Sequence, residues 1–166
     1  VDIVDALLIA QFYVGLLGEL TCCGEPTDEP TDEPTDEPTD APTETPGGDV
    51  TLEKQAEDAS WSSGGVESDH SGYTGTGYVN TDNASGEWIE WTIEVDRLCN
   101  ATCEFRYASG GGARPMTLSI NGIDVEDQDM TFSGSSAWDD WQTEIIDVIL
   151  DPNLNTIGLT ADGSGG

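Results

Sequence analysis

Two pairs of neighbouring carboxylates are the residues of this sequence whose type and spacing could perform acid–base chemistry. They are Asp139 with Asp140 and Glu87 with Glu90, and hydrolysis of a glycosidic bond uses two carboxyl groups on either side of a cleft. Because the chain carries 34 Asp and Glu residues among its 166, such pairs are expected by chance. The one histidine, His70, is expected to be a loop residue, and no nucleophile elbow, phosphate loop or HExxH motif is present. We therefore predict that the chain is not an enzyme.

The four cysteines form two close pairs. Cys22 and Cys23 are adjacent, and three residues separate Cys99 from Cys103. Zinc sites use Cys-x2-Cys spacing or clusters of Cys and His, so neither pair fits a zinc site. In an acidic chain with glycosylation motifs, the pairs indicate disulfides formed in an oxidising compartment. Cys99 and Cys103 could bridge a tight turn, whereas Cys22 and Cys23 could join each other or another chain.

Acceptor motifs for glycans indicate the same compartment. Asn83 and Asn100 each begin an N-x-Ser/Thr sequon. The chain starts at Val1 without the basic region of a signal peptide, so we expect it to be processed or partial. The sequons and the cysteine pairs together predict a secreted, extracellular protein.

The charge balance excludes two classes of partner. The chain has 4 Lys and Arg residues and a formal net charge of -30. Binding to nucleic acid or to an anionic membrane requires several basic side chains, so we expect neither partner. A charge of this sign attracts cations such as calcium.

Three regions differ in composition. Residues 1–20 are mostly apolar, and we expect either a helix packed on another element or an interaction segment. Residues 21–48 form a linker that contains the repeat EPTD, whose prolines prevent helix and central strand and favour an extended chain. Residues 49–166 have the composition of a folded domain. The linker threonines beside proline are candidates for O-glycosylation: Thr27, Thr31, Thr35 and Thr39.

The domain at 49–166 has the pattern of an all-β protein. Short runs rich in β-branched and aromatic residues alternate with turn clusters such as Ser109-Gly110-Gly111-Gly112, as in a β-sandwich. The expected strands are 86–95, 102–109, 115–122, 141–150 and 155–161.

Motifs in this domain resemble a known family. In order they read LEKQAEDAS, VESDHSGYTGTGYVNTDN, GEWIEWTIEV, FRYASGG, MTLSINGIDV and AWDDWQTEIIDVILDPNLNTIGLTADG. Together they are similar to carbohydrate-binding modules of families 6 and 35 across 49–166. The resemblance implies a jelly-roll β-sandwich without catalysis, a structural calcium ion, and a sugar site in the loops at one end.

The resemblance also implies which residues contact the sugar. Aromatic faces cover the C–H surfaces of a sugar ring, and the matching positions are Tyr78, with Tyr73 beside it, and Trp138. Trp141 matches a second tryptophan of the family pattern, which we expect to be a core residue. Trp88 and Trp91 are expected at core and edge positions.

The family's metal site and final strand are matched only in part. Gln55 and Glu57 match two calcium ligands, and we expect them on one face of the first strand, where both can reach one ion. The family ends with a strand that reads roughly Pro-Asn-Ile-Asp-Tyr-Leu, whereas this chain reads Gly163-Ser164-Gly165-Gly166 at that point. A sugar-binding asparagine and a calcium-binding aspartate are therefore missing, and the sandwich is expected to lack its last strand.

Residues 1–17 resemble the end of a dockerin repeat, a calcium loop followed by a helix. Asp2 and Asp5 match its last two ligand positions, and the earlier ligands would precede Val1. This half-loop is expected to bind calcium poorly.

Two functions follow from these patterns. The first is a non-catalytic polysaccharide-binding module of a secreted modular protein. The alternative is a structural subunit of an extracellular filament, in which residues 1–20 complete the sandwich of a neighbouring subunit, because a sandwich without its last strand exposes two strand edges.

Overall fold

The computed structural model describes residues 7–16, 50–82 and 84–163. These ranges contain eleven strands and one short 3-10 helix, which confirms the all-β prediction. The strands are β1 (Leu7–Leu16), β2 (Val50–Gln55), β3 (Ser60–Trp61), β4 (Gly65–Glu67), β5 (Tyr78–Thr81), β6 (Trp88–Val95), β7 (Cys99–Ala108), β8 (Arg114–Ile120), β9 (Ile123–Phe132), β10 (Gln142–Leu150) and β11 (Asn153–Ala161). The helix covers Ala56–Asp58, and none of the described residues form a helix long and apolar enough to cross a membrane.

The strands form two sheets. The first has the order β10-β7-β1-β5-β4, with β2 paired to β1 off this path. The second has the order β3-β6-β11-β8-β9. Neighbouring strands are antiparallel throughout. The two sheets enclose one main core, as in a β-sandwich.

Period-two burial explains why the sheets pack together. In β6 every second residue is buried, from Ile89 to Val95, and Trp91 is 1% exposed. Trp88 lies on the outer face and is 38% exposed, so Trp91 is the core residue of the two, and Trp88 is an outward residue of a strand that is paired on both sides. Phe105 packs between Trp91 and Phe132, with ring centroids 5.8 and 6.2 Å away. These aromatic contacts fill the space between the sheets.

The segment Leu7–Leu16 is a strand, which corrects the helix expected from composition and from the dockerin resemblance. It pairs with β7 on one side and with β2 and β5 on the other. Leu16 pairs with both Ala101 and Val50, so within this chain the segment fills a central position in the first sheet. A short apolar run has no decisive period of its own, and the open position in the sheet selects the strand.

The expected Cys99–Cys103 disulfide is wrong. Both cysteines are buried free thiols on the same strand, β7. Four residue-to-residue steps of extended chain place their Cα atoms about 13 Å apart, whereas a disulfide requires less than about 7 Å. Burial is the main cause that raises the pKa of the Cys103 thiol, to about 12, and the negative charge of the nearby Asp147 adds to it. Cys22 and Cys23 lie outside the described residues.

Candidate functional site

An aromatic cluster lies on the outer face of the first sheet. Tyr78, Arg106 and Ala108 alternate along their strands with the core residues Val79 and Phe105, and therefore face away from the core. The loops 68–77, 109–113 and 133–141 cover this face and supply the remaining rings. The aromatic cluster consists of His70, Tyr73, Tyr78, Trp138 and Trp141.

Tyr78 forms the base of the aromatic cluster. Its side chain is 0% exposed, and its ring centroid lies 5.7 Å from that of Tyr73 and 5.8 Å from that of Trp141. The hydroxyl donates a hydrogen bond to Asp69 Oδ1. Burial, together with this bond, raises the pKa of Tyr78, and the same bond is the main cause that lowers the pKa of Asp69.

This burial corrects one expected sugar contact. A ring that stacks on a sugar needs an open face, and Tyr78 has none because the surrounding rings cover it. Tyr73 and Trp138 are half-buried and lie at the edge of the same cluster. Of the three predicted positions, these two can therefore form the platform, and Tyr78 supports it from below.

Trp138 is held against the backbone of the loop after β7. A Cβ atom added at Gly110 would lie 2.6 Å from Trp138 Cδ2, so the indole uses the space that any larger residue would fill. Trp138 also neighbours His70, at a ring-centroid distance of 6.1 Å. Ser135 ties the two loops together, because its hydroxyl donates to Ser109 O and accepts from Ser109 N, at 2.9 and 3.0 Å.

Arg106 and Trp141 fix the loop that carries Tyr73. Trp141 Nε1 donates to Ser71 O at 2.9 Å, and Arg106 Nη2 donates to Gly72 O at 2.7 Å. The Arg106 guanidinium also lies over the Trp141 ring, 5.0 Å from its centroid. Gly72 has φ +95°, and a Cβ there would lie 2.9 Å from Trp141 Cδ1. The backbone carbonyls of Ser71 and Gly72 thus each accept a hydrogen bond from a packed side chain, which holds the loop in place.

Sequence reasoning missed Arg106, and it placed His70 as an ordinary loop residue. A signal for Arg106 existed, because it occupies an outward position in a strand whose alternate residues are apolar. Arg106 Nη1 is buried without a hydrogen-bond partner. Trp141, expected in the core, packs instead in the smaller aromatic cluster.

The side-chain oxygens of Gln55 and Glu57 both lie against the loop around Gly75. Glu57 Oε1 accepts hydrogen bonds from Thr76 N and Thr76 Oγ1 at 2.6 and 3.0 Å, and Gln55 Oε1 accepts from Thr74 Oγ1 at 3.2 Å. A Cβ at Gly75, which has φ +71°, would collide with both side-chain oxygens. Glu57 lies in the 3-10 helix rather than on β2, yet the two side chains still reach the same point.

One oxygen of this pair is available to bind a hard cation such as calcium. Glu57 Oε2 is buried and has no hydrogen-bond partner, and a buried carboxylate oxygen normally has a partner. The described residues contain no group of three His, Cys, Asp or Glu side chains that could hold a metal. Any ion here would therefore need backbone carbonyls or water to reach the six to eight oxygens that calcium prefers.

In each of the two carboxylate pairs, one member accepts local hydrogen bonds. Asp140 Oδ2 accepts hydrogen bonds from Ser136 Oγ and Ser136 N at 2.7 and 3.1 Å, and Oδ1 accepts from Gln142 Nε2 at 2.9 Å. The bonds from Ser136 are the main cause that lowers the pKa of Asp140. Glu87 Oε2 accepts from Ala84 N at 3.0 Å and closes a turn.

The predicted glycosylation residues are mostly outside the described ranges, including Asn83 and the linker threonines Thr27, Thr31, Thr35 and Thr39. Asn100 is exposed on β7, and the hydroxyl of Thr102 in the same sequon donates to Asp147 Oδ1 at 2.7 Å. Glycosylation at Asn100 stays a prediction.

Comparison with known proteins identifies the family. The model of the carbohydrate binding module (family 6) matches residues 55–166. The exo-beta-D-glucosaminidase of Amycolatopsis orientalis is 38% identical over 122 residues, which are 73% of this chain and 12% of that enzyme. Endo-1,4-beta-xylanase B of Cellvibrio japonicus is 36% identical over 104 residues, which are 62% of this chain and 17% of that enzyme. The chain thus corresponds to a small part of each enzyme.

Solved structures agree with this assignment. A family 35 carbohydrate binding module from Clostridium thermocellum has a TM-score of 0.63 and 37% identity, and the match covers 66% of this chain and 85% of that one. Xyl-CBM35, in complex with a glucuronic acid-containing disaccharide, has a TM-score of 0.56 and 34% identity, with 64% and 78% coverage. The chain belongs to the carbohydrate binding module family 6 and has the jelly-roll β-sandwich fold of its family 35 neighbours.

Proposed function

We propose that this chain is a non-catalytic polysaccharide-binding module of a secreted modular protein, and that it holds its glycan at the aromatic cluster. The observation that carries the proposal is that two half-buried rings, Tyr73 and Trp138, pack against the fully buried ring of Tyr78. Sugar recognition needs apolar faces that are already ordered, since ordering them on binding would reduce the affinity.

The surroundings of the two rings support this role. Hydrogen bonds from Arg106 and Trp141 hold the loop of Tyr73, and Gly110 holds Trp138. The hydrogen bonds from Ser136 lower the pKa of Asp140, whereas a general acid working near neutral pH needs a raised one. A binding role without catalysis agrees with both observations.

The ligand class is a polysaccharide. Xyl-CBM35 was solved with a glucuronic acid-containing disaccharide, so glucuronic acid-containing glycans belong first in a binding screen. Neutral xylan, glucan and galactan complete the screen and report whether a carboxylate on the sugar is required.

Calcium is the proposed structural cofactor. Gln55 Oε1 and Glu57 would hold it, with Glu57 Oε2 as the buried oxygen that has no hydrogen-bond partner. Held by these two side chains, such an ion would supply positive charge next to their oxygens and would restrain the loop that carries Tyr73.

A matched pair of tryptophan variants tests the proposal. Trp138→Ala removes half of the platform, whereas Trp88→Ala removes an exposed tryptophan on the other sheet. In affinity electrophoresis through each polysaccharide, Trp138→Ala is expected to lose at least about tenfold in affinity, which is ~1.4 kcal/mol. Trp88→Ala should migrate as the wild type does. Equal retardation of both variants would refute the site.

A further inference from the structure

Strand β1 holds the first sheet together. On one side it pairs with β7, from Leu8 opposite Ala108 to Leu16 opposite Ala101. On the other side it pairs with β2 and β5. Among the described residues, these two strands have no hydrogen-bonded contact with β7 except through β1. The space that β1 fills, between β7 and the pair β2 and β5, is called the β1 slot below.

The connection from β1 to β2 is much longer than the fold requires. Leu16 pairs directly with Val50, so the end of β1 and the start of β2 lie side by side, and a two-residue hairpin turn would join them. The chain instead places all of residues 17–49 between them. A segment of this length has a contour of roughly 100 Å, which is enough to reach the β1 slot of another molecule.

The composition of β1 favours approach to a second copy. Its sequence, LLIAQFYVGL, contains no charged residue in a chain of net charge -30. Its register places Tyr13 between Glu53 and Glu104. A neutral strand can enter this acidic sheet without the like-charge repulsion that an acidic strand would meet.

We propose that β1 is exchanged between copies of this chain, so that Leu7–Leu16 of one molecule fills the β1 slot of a second. The pairing of backbone groups is the same within one chain and between two, and the two forms differ only in the entropy of the connection. When a strand is tethered to its own slot by a linker, its effective concentration there is on the order of 1 mM. In dilute solution β1 therefore pairs within its own molecule. As the chain concentration approaches this value, pairing of β1 with a second molecule becomes the main form.

Exchange has a consequence for ligand binding. β1 lies between the strands that carry Tyr78 and Arg106, so a donated strand completes the base of the aromatic cluster in its acceptor. A reciprocal dimer therefore has two complete clusters on one particle. Two sites that bind one polysaccharide chain raise the apparent affinity without any new contact.

Two variants of the full chain test the exchange directly. In the first, residues 17–49 are deleted and Leu16 is joined to Val50, which leaves no residue for a turn, so β1 can pair only with another molecule. In the second, the same residues are replaced by Asn-Gly, which forms a two-residue hairpin turn. Both lack Cys22 and Cys23, so a disulfide cannot account for any difference. Sedimentation velocity is expected to show a folded dimer for the first and a monomer for the second.

Refolding of the unaltered chain provides the second measurement, which also decides the matter if the direct fusion does not fold. Under reducing conditions, the dimer fraction should rise when refolding is carried out near the effective concentration of about 1 mM, while the Asn-Gly variant stays monomeric. A folded monomer from the direct fusion would overturn the proposal. So would equal dimerisation of the unaltered chain and the Asn-Gly variant, or an unaltered chain that stays monomeric at every concentration.

Discussion

Gly110 and Trp138 are in such close contact that the indole occupies the place of a side chain at residue 110. A Cβ atom there would lie 2.6 Å from Trp138 Nε1 as well as from Cδ2, which is closer than non-bonded atoms approach. The loop after β7 and the loop before β10 are thus fitted to one another through a glycine. The orientation of the proposed sugar platform depends on this contact.

Gly110→Ala is therefore expected to displace Trp138. The added methyl group overpacks the contact, which typically costs about 1–3 kcal/mol of stability, and polysaccharide affinity should fall by about tenfold. Gly112→Ala is the matched control, because a Cβ there meets only Arg114 Nη1, at 3.9 Å. Affinity electrophoresis and thermal unfolding of both variants check this. Equal affinities would show that the position of Trp138 does not matter for binding.

Tyr78→Phe is expected to change how stability depends on pH. The hydrogen bond from Tyr78 lowers the pKa of Asp69 below 3.8 in the folded state, so the ionised carboxylate favours folding. This contribution is complete above the unfolded pKa and is lost as the pH falls below about 4. The difference in unfolding free energy between wild type and Tyr78→Phe should therefore be present at pH 7 and shrink on acidification.

Chemical denaturation at a series of pH values measures this difference. Comparing the two proteins at each pH cancels the titration of Asp140, whose pKa is also lowered and which the substitution does not touch. A difference that stays constant down to pH 3 would contradict the assignment to Asp69.

Arg106→Met is expected to loosen the loop that carries Tyr73. The substitution keeps the apolar stem but removes the hydrogen bond to Gly72 O and the contact with the Trp141 ring, together about 1–2 kcal/mol. Amide hydrogen exchange in residues 69–77 should accelerate, and affinity should fall. Arg97→Met removes an exposed arginine on the loop before β7 and should alter neither. Unchanged exchange in Arg106→Met would show that other contacts hold the loop.

Glu57→Gln is expected to abolish stabilisation by calcium. In the wild type, added calcium should raise the melting temperature and EDTA should lower it, because an ion bound only by the folded state stabilises it. Asp58→Asn removes the same charge from an exposed neighbouring residue and should leave the calcium effect intact. If both variants respond to calcium as the wild type does, the ion is not held by Glu57.

Much of the sandwich could be predicted because its strands alternate in burial. The regular inward set of β6, from Ile89 to Val95, is visible in the sequence as an apolar alternation. The cysteines show the limit of this reasoning. Their close spacing indicated a turn, but an offset of four positions, which is even, equally fits two inward positions on one strand, which is where Cys99 and Cys103 lie.

The candidate site was predicted in part. Tyr73 and Tyr78 are five residues apart in one motif, and no local pattern distinguishes the half-buried ring of Tyr73 from the fully buried ring of Tyr78. The difference arises because Tyr78 is the first residue of β5, and its position in the strand packs its ring against that of Trp141. β1 illustrates the same point, since only pairing with β7 and β2 decides between strand and helix for an apolar run.

The most direct test of the binding account follows the indole N–H signals of the five tryptophans by NMR as an oligosaccharide of the best-retained polysaccharide is added. Trp138 is expected to show the largest shift, because its ring is half-buried at the platform. Trp91, in the core, and Trp88, on the opposite sheet, should stay in place. Saturable shifts at Trp88 with none at Trp138 would contradict the assignment of the sugar site to the aromatic cluster.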